Sequence, residues 1–254
     1  MKPNCRKPVP ERARSSPALP HPDQTAAIVP AAGRGLRLPG AVAKQFRSLA
    51  GKPLFHHPLS RIARAGLLGR IVVVVPAGSD PPDLPDGLDV EVRLVEGGAR
   101  RQDSVRNGLA ALGEDVSWVV VHDGARPLVT PELVERCLIG AAETGAAIAA
   151  LPVVDTVKAG DAEGYIEATR PREGLWLAQT PQVARRELLA RALAWADAND
   201  FEGTDEAALL EAVGVRVKLV EGSAGNIKVT TPGDMERAAR LMELERHAEA
   251  EASA

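Results

Sequence analysis

Short apolar runs alternate with helix-period stretches along most of this chain. The first run, residues 26–29, passes directly into Pro30 to Gly35, small residues apart from Arg34. Residues 71–75 form a continuous run of Ile and Val, the pattern of a strand buried on both faces. Residues 90–95 alternate apolar with polar, and residues 118–122 and 146–152 are further apolar runs. Helical periodicity falls between them, at about 54–65, 103–112 and 131–144. Thr130 followed by Pro131 predicts a capped helix start there. Later stretches predict helices at 184–198 and 205–213, a strand at 215–220 and a last helix from about Pro232. The alternation specifies an α/β fold, a mostly parallel sheet with helices on both faces.

The rhythm breaks at 153–169. Residues 153–158 and 165–169 are short strand-like pieces, and 159–164 (Ala-Gly-Asp-Ala-Glu-Gly) is a turn signal between them. This predicts a β-hairpin arm projecting from the sheet. A lone hairpin is marginal in water, so its simplest partner is the same hairpin of a second subunit. Residues 1–25 are Pro-rich and basic and predict a disordered extension. Residues 26–245 then form a single domain that includes the 153–170 arm, and 246–254 a C-terminal tail.

Composition narrows the class. The chain has 254 residues, 45% of them apolar, enough for a large core, but only 3% aromatic, so aliphatic residues must fill it. A net charge of -3 argues against nucleic-acid binding by bulk electrostatics. Two cysteines, Cys5 and Cys137, suggest neither a disulfide framework nor a metal site and suit a reducing compartment. No run of about 18 apolar residues predicts a membrane span. The expected location is the cytoplasm, with an organellar address in the basic N-terminal extension as the alternative.

Ligands of such sheets bind beyond the carboxyl ends of the strands. Three segments there carry chemistry: 33–44, 97–104 and 123–126. The first, Pro30-Ala31-Ala32-Gly33-Arg34-Gly35-Leu36-Arg37, followed by Lys44, joins a bare backbone to fixed cations. It is not a dinucleotide fingerprint, because Leu38 stands where the third glycine belongs. It is not a P-loop either, because Ala41 and Val42 follow Gly40. What remains is a polyphosphate cradle, or an ordinary glycine-rich turn.

Asp123, at a strand end, suits a Mg²⁺ ion beside phosphates or, equally, a turn. Arg126 offers a planar fork for phosphate, or a surface salt bridge. The Gly98 backbone and the Ser104 hydroxyl can read a base edge. Asp103 suits a helix cap, and Arg100 and Arg101 suit solvated positions. Arg172 follows the hairpin, and Thr204 or Asp205 marks a helix entrance. Lys228 between Ile227 and Val229 suits either a site or an exposed edge strand. The histidines have no metal spacing. A site rich in Arg and Lys without a nucleophile favours phosphoryl-type transfer, which needs alignment and charge neutralisation.

The ordered set of motifs resembles the 2-C-methyl-D-erythritol 4-phosphate cytidylyltransferase family of the non-mevalonate isoprenoid pathway. The matching segments are Pro30 to Arg37, Lys44-Gln45, Asp103-Ser104-Val105, His122 to Pro127, Gly174-Leu175-Trp176, Thr180-Pro181-Gln182, Thr204-Asp205-Glu206 and Asn226 to Thr230. The resemblance implies a Rossmann-like nucleotidyltransferase fold and a homodimer exchanging its β-arms. It implies transfer of the cytidylyl group of CTP to the polyol phosphate, with Mg²⁺. In the same way, Arg37, Lys44, Arg172 and Lys228 are implied as catalytic. Pro30, Ala31, Ala32, Gly33, Gly35, Gly98, Ser104 and Gly124, with Arg37 and Lys44, are implied at CTP. Asp123, Arg126, Thr156, Arg172, Thr204 and Lys228 are implied at the polyol phosphate, and Asp123 at the metal. The chain departs from the family pattern at Ala43, Ala99 and Gly124. The rival readings are transfer to another polyol phosphate, such as ribitol 5-phosphate, and a nucleotide-sensing subunit on the same fold.

Overall fold

The computed structural model describes residues 19–33 and 44–252. Residues 1–18 of the expected extension, and Gly35 and Arg37 of the glycine-rich segment, lie outside the described residues. After a short 3-10 turn (Pro22–Gln24) comes β1 (Thr25–Pro30), then the two-residue strands β2 (Ser48–Leu49) and β3 (Lys52–Pro53), α1 (His56–Ala63), β4 (Arg70–Val75) and β5 (Glu91–Glu96). There follow α2 (Arg101–Ala110), β6 (Trp118–Val121), α3 (Pro131–Thr144), β7 (Ala146–Pro152), β8 (Val157–Gly160) and β9 (Ile166–Arg170). The chain continues through β10 (Trp176–Arg185), α4 (Arg186–Ala198), α5 (Glu206–Ala212), β11 (Lys218–Glu221) and α6 (Pro232–Ala252).

Seven strands make the main sheet in the order β11-β7-β10-β6-β1-β4-β5. All neighbours are parallel except β10, which runs antiparallel to both β6 and β7. The β-branched runs are central for the expected reason. In β1 and β4, Ala27, Val29, Ile71 and Val73 face one layer, while Ala26, Ile28, Val72 and Val74 face the other, all at 0–1% exposure. α1 and α3 cover the first face with Leu59, Ile62, Leu133 and Leu138, and α2, α4 and α5 cover the second with Val105, Leu189 and Leu209. Each such aliphatic side chain contributes about 1.5–3 kcal/mol on burial. The start of α3 follows its sequence signal: the Thr130 hydroxyl accepts from the Leu133 N–H at 3.3 Å, and Pro131 opens the helix.

Two elements differ from the expectations. β10 was not read from the sequence, because Gln179, Thr180, Pro181 and Gln182 interrupt any strand period and a proline argues against a central strand. The ladder with β7 shifts register at that point, between Ala178 and Gln182, and Thr180 there accepts from the Asp123 N–H. Ala184 and Arg185, expected to begin a helix, instead end this strand. The stretch containing Lys228 is not a strand but an irregular segment, fixed by Val229 N–H donating to Ala125 O at 2.8 Å and by the buried Val229 side chain.

The hairpin forms as β8 and β9, paired Val157 to Arg170 and Lys158 to Thr169, with most of its residues exposed. α6 runs on through residues 246–252, set apart as a tail by the sequence reading. Among the described residues, no helix is long and apolar enough to cross a membrane.

Candidate active site

Beyond the carboxyl ends of β1, β5 and β6 lies a cleft of about 480 Å³. Its lining includes Pro30, Ala31, Ala32 and Gly33 after β1, Gly98 and Ser104 after β5, and Asp123 and Gly124 after β6. Lys44 and Lys228 reach it from separate parts of the chain. Ten sequence-nominated residues therefore share one cavity.

The 97–98 segment must be glycine. A Cβ on Gly97 would lie 2.4 Å from the Ala32 Cβ, and one on Gly98 only 2.3 Å from the Asp103 Cβ. Ser104 holds this segment down: its hydroxyl accepts from the Gly98 N–H at 3.1 Å and donates to Arg100 O at 3.3 Å. Asp103 caps α2 by accepting from the Arg100 N–H at 3.0 Å. Gly124 is less constrained, since a Cβ there would meet Pro30 O at 3.3 Å, so the alanine of the family pattern requires only a small shift.

The two lysines are brought together by the 226–230 segment. Lys44 Nζ donates to Val229 O at 2.8 Å, and Lys228 Nζ stands 2.7 Å from Asp123 Oδ2. Asn226 anchors the segment by donating to Thr180 O at 2.7 Å. Thr230 completes the cleft wall, held where its N–H and hydroxyl donate to Asp234 at 2.8 and 2.7 Å.

Asp123 is the electrostatic centre. Burial works against its charge, but Arg101, Lys228 and Arg126 hold its carboxyl well below the usual carboxylate range. Arg101 sits 3.0 Å from Oδ1, and Arg126 Nε is 4.0 Å from Oδ2. The expectation that Arg101 is merely solvated is corrected here: it is clamped between Asp123 and the buried Glu206. No local signal in the sequence could pair residues 101 and 206. Arg126 is buried behind Asp123, and its fork donates to Asn226 O and Ala178 O. Burial lowers its pKa from the usual arginine value.

Behind Asp123 runs a polar chain. The Asp123 N–H donates to Thr180 Oγ1 at 3.1 Å, Thr180 Oγ1 lies 3.0 Å from His122 Nδ1, and His122 Nε2 lies 3.2 Å from Arg126 O. A carbonyl facing Nε2 assigns the proton to that nitrogen, so Nδ1 accepts from Thr180. Burial lowers the His122 pKa to about 4. The unfolded chain therefore binds more protons between the ordinary histidine value and about pH 4, and stability falls as pH drops through that window, by about 3 kcal/mol. An NMR titration is expected to show His122 ring signals constant from about pH 8 to 5. A midpoint near the ordinary value would refute the buried, neutral assignment.

Thr156, Arg172 and Thr204 are not in the cleft. All three are exposed; Arg172 donates to Val154 O at the base of the arm, and Thr204 precedes Asp205, the cap of α5. Asp123 also does not fit a metal held by the protein alone. Its oxygens already face Arg101 and Lys228, and no group of three metal-ligating side chains converges among the described residues.

The chain is similar to known proteins over most of its length. The family model for 2-C-methyl-D-erythritol 4-phosphate cytidylyltransferase matches residues 25–244. The protein of that name from Syntrophus aciditrophicus is 43% identical over 215 residues, covering 82% of this chain and 92% of that one. The crystal structure of the Thermus thermophilus protein of the same name superposes with a TM-score of 0.71 at 36% identity, covering 85% of this chain and 98% of that chain. The Francisella tularensis structure gives a TM-score of 0.74 at 31% identity, over 86% and 99% of the two chains.

Proposed function

Because this chain belongs to the 2-C-methyl-D-erythritol 4-phosphate cytidylyltransferase family, we propose that it transfers the cytidylyl group of CTP to 2-C-methyl-D-erythritol 4-phosphate. The products are 4-diphosphocytidyl-2-C-methyl-D-erythritol and pyrophosphate. The observation that carries this reading is the convergence of Lys44 and Lys228, from distant parts of the sequence, on a cleft walled by bare backbone.

In this reaction a phosphate oxygen of the polyol phosphate attacks the α-phosphorus of CTP. A new P–O bond forms as the bond to the β-phosphate oxygen breaks, and pyrophosphate departs with that electron pair. The attacking phosphate is already ionised, so no side chain has to remove a proton. The protein's tasks are alignment and neutralisation. Residues 30–33 and 98 let the nucleotide approach the backbone closely. Lys44, with Arg37 by resemblance, balances charge gathering on the α-phosphate. Lys228, aimed by Asp123, receives the second phosphate. Mg²⁺, when bound, would supply charge neutralisation at the triphosphate.

A homodimer follows from the same reading. Val154, Tyr165, Ile166, Leu175, Trp176 and Leu177 expose large apolar side chains on and beside the arm, which supports its burial against a second copy. Thr156 and Arg172 lie at that arm and would act on the partner's polyol phosphate. Burial pushes the Cys137 thiol up to about 12, which keeps it protonated and inert.

Pyrophosphate release from CTP with Mg²⁺, measured separately with methylerythritol phosphate and ribitol 5-phosphate, tests the substrate. Turnover is expected with the first. Turnover with ribitol 5-phosphate alone would reassign the polyol, and a monomer by light scattering would remove the dimer.

A further inference from the structure

The first turn of α2 ties together two loops far apart in sequence. On one side Ser104 and Arg100 hold the glycine segment 97–98. On the other, Gln102 holds the loop before α5: its Oε1 accepts from the Gly203 N–H at 3.0 Å, and its Nε2 donates to Phe201 O at 3.1 Å. Arg101 stands between them. Its Nη1 and Nη2 meet both Glu206 oxygens at 2.5 and 3.0 Å, while Nε and Nη2 meet Asp123 Oδ1 at 3.3 and 3.0 Å.

Glu206 is only 2% exposed, and helix capping does not explain its charge. Asp205 already caps α5, accepting from the Ala208 N–H at 2.9 Å. A buried ion pair is weak evidence for stability, since desolvation offsets most of its attraction. What the pair does achieve is orientation. With Oδ1 taken by Arg101, Asp123 presents Oδ2 to Lys228, and the ammonium stands in the cleft.

We propose that Arg101, gripped by Glu206, is a positioning residue for the second substrate. It fixes the Asp123 carboxylate that aims Lys228, and it joins the nucleotide-side loop to the loop bearing Thr204. This rests on the cytidylyl-transfer reading above. Arg101 borders the cleft, but its guanidinium is already held by Asp123 and Glu206, so its loss weakens use of the polyol phosphate through Asp123 and spares CTP.

The experiment compares wild type, Glu206→Gln and Arg101→Lys, varying each substrate with the other saturating. In Glu206→Gln, kcat/KM for the polyol phosphate is expected to fall at least about 10-fold, with the KM for CTP within about two-fold. Arg101→Lys is expected to show the same split, because a point charge on a flexible stem cannot hold two carboxylates in one plane. Glu206→Gln removes one charge of a buried pair and is expected to lower the melting temperature, whereas Arg101→Lys keeps both charges and is expected to melt within a few degrees of wild type. The proposal is overturned if both constants stay within about two-fold of wild type, or if the loss falls equally on CTP. It is also overturned if a large fall in melting temperature accompanies an unchanged ratio of the two. A wild type active only on a different polyol phosphate refutes the substrate assignment alone, and the same split is then read with that polyol. A wild type inert with every polyol phosphate overturns both.

Discussion

Replacing Lys228 by methionine is expected to lower turnover by about 10²–10³-fold, the loss typical of removing one aimed charge from a developing transition state. The methionine keeps the length and apolar stem and deletes only the ammonium. The fold should tolerate it, since the lysine is about one-third exposed and Asp123 retains Arg101 at 3.0 Å. Pre-steady-state pyrophosphate release and circular dichroism on the same sample separate the effects. Turnover within about three-fold of wild type, with an intact fold, would remove Lys228 from the reaction and with it the reason for the Asp123 contact.

Asp123→Asn is the second large effect, and it acts on both stability and chemistry. Three cations lose their shared counter-charge. Removing one partner of a fully buried pair costs about 3–5 kcal/mol. Here Lys228 and Arg101 each retain roughly a third of their exposure to water, so screening reduces the loss to about 2–3 kcal/mol. Activity falls as well, because Lys228 is no longer aimed.

The pH dependence of this variant has a definite sign. In wild type the depressed Asp123 pKa contributes stability that is present above the ordinary carboxylate value and is lost as pH falls through the lower folded value. The difference in stability between wild type and Asp123→Asn is therefore expected to be constant from about pH 7 to 5 and to shrink only below about pH 4. Urea denaturation at a series of pH values measures it. A difference that already vanishes near neutral pH would show that the three cations do not stabilise this carboxylate.

Local sequence specifies the central strands and leaves β10 hidden. The apolar runs that became β1, β4, β6 and β7 were legible because strands buried on both faces need continuous aliphatic residues, and nothing distant is required to recognise them. The start of α3 was legible for the same reason, since Thr130 and Pro131 act within one turn. β10 was not legible. Gln179, Thr180 and Gln182 are polar in a central strand because their partners lie at Ser223, His122 and Asp205, which come from other parts of the chain. A strand whose polar atoms are satisfied by distant residues looks, in isolation, like a loop.

The sequence by itself determined the layered α/β architecture, the three glycine-rich or charged segments at strand ends and, through its ordered motifs, the family. Those properties depend on periodicity and on residue types at short spacing. Only the tertiary structure decided that Lys44 meets the 226–230 segment and that Arg101 is held by Glu206 rather than by water. It likewise decided that Arg126 spends its fork on backbone carbonyls behind the site. Each of these is an electrostatic or hydrogen-bonded pairing across about fifty residues or more. Such pairings arise when the sheet brings strand ends together, and they leave no periodic trace in the chain.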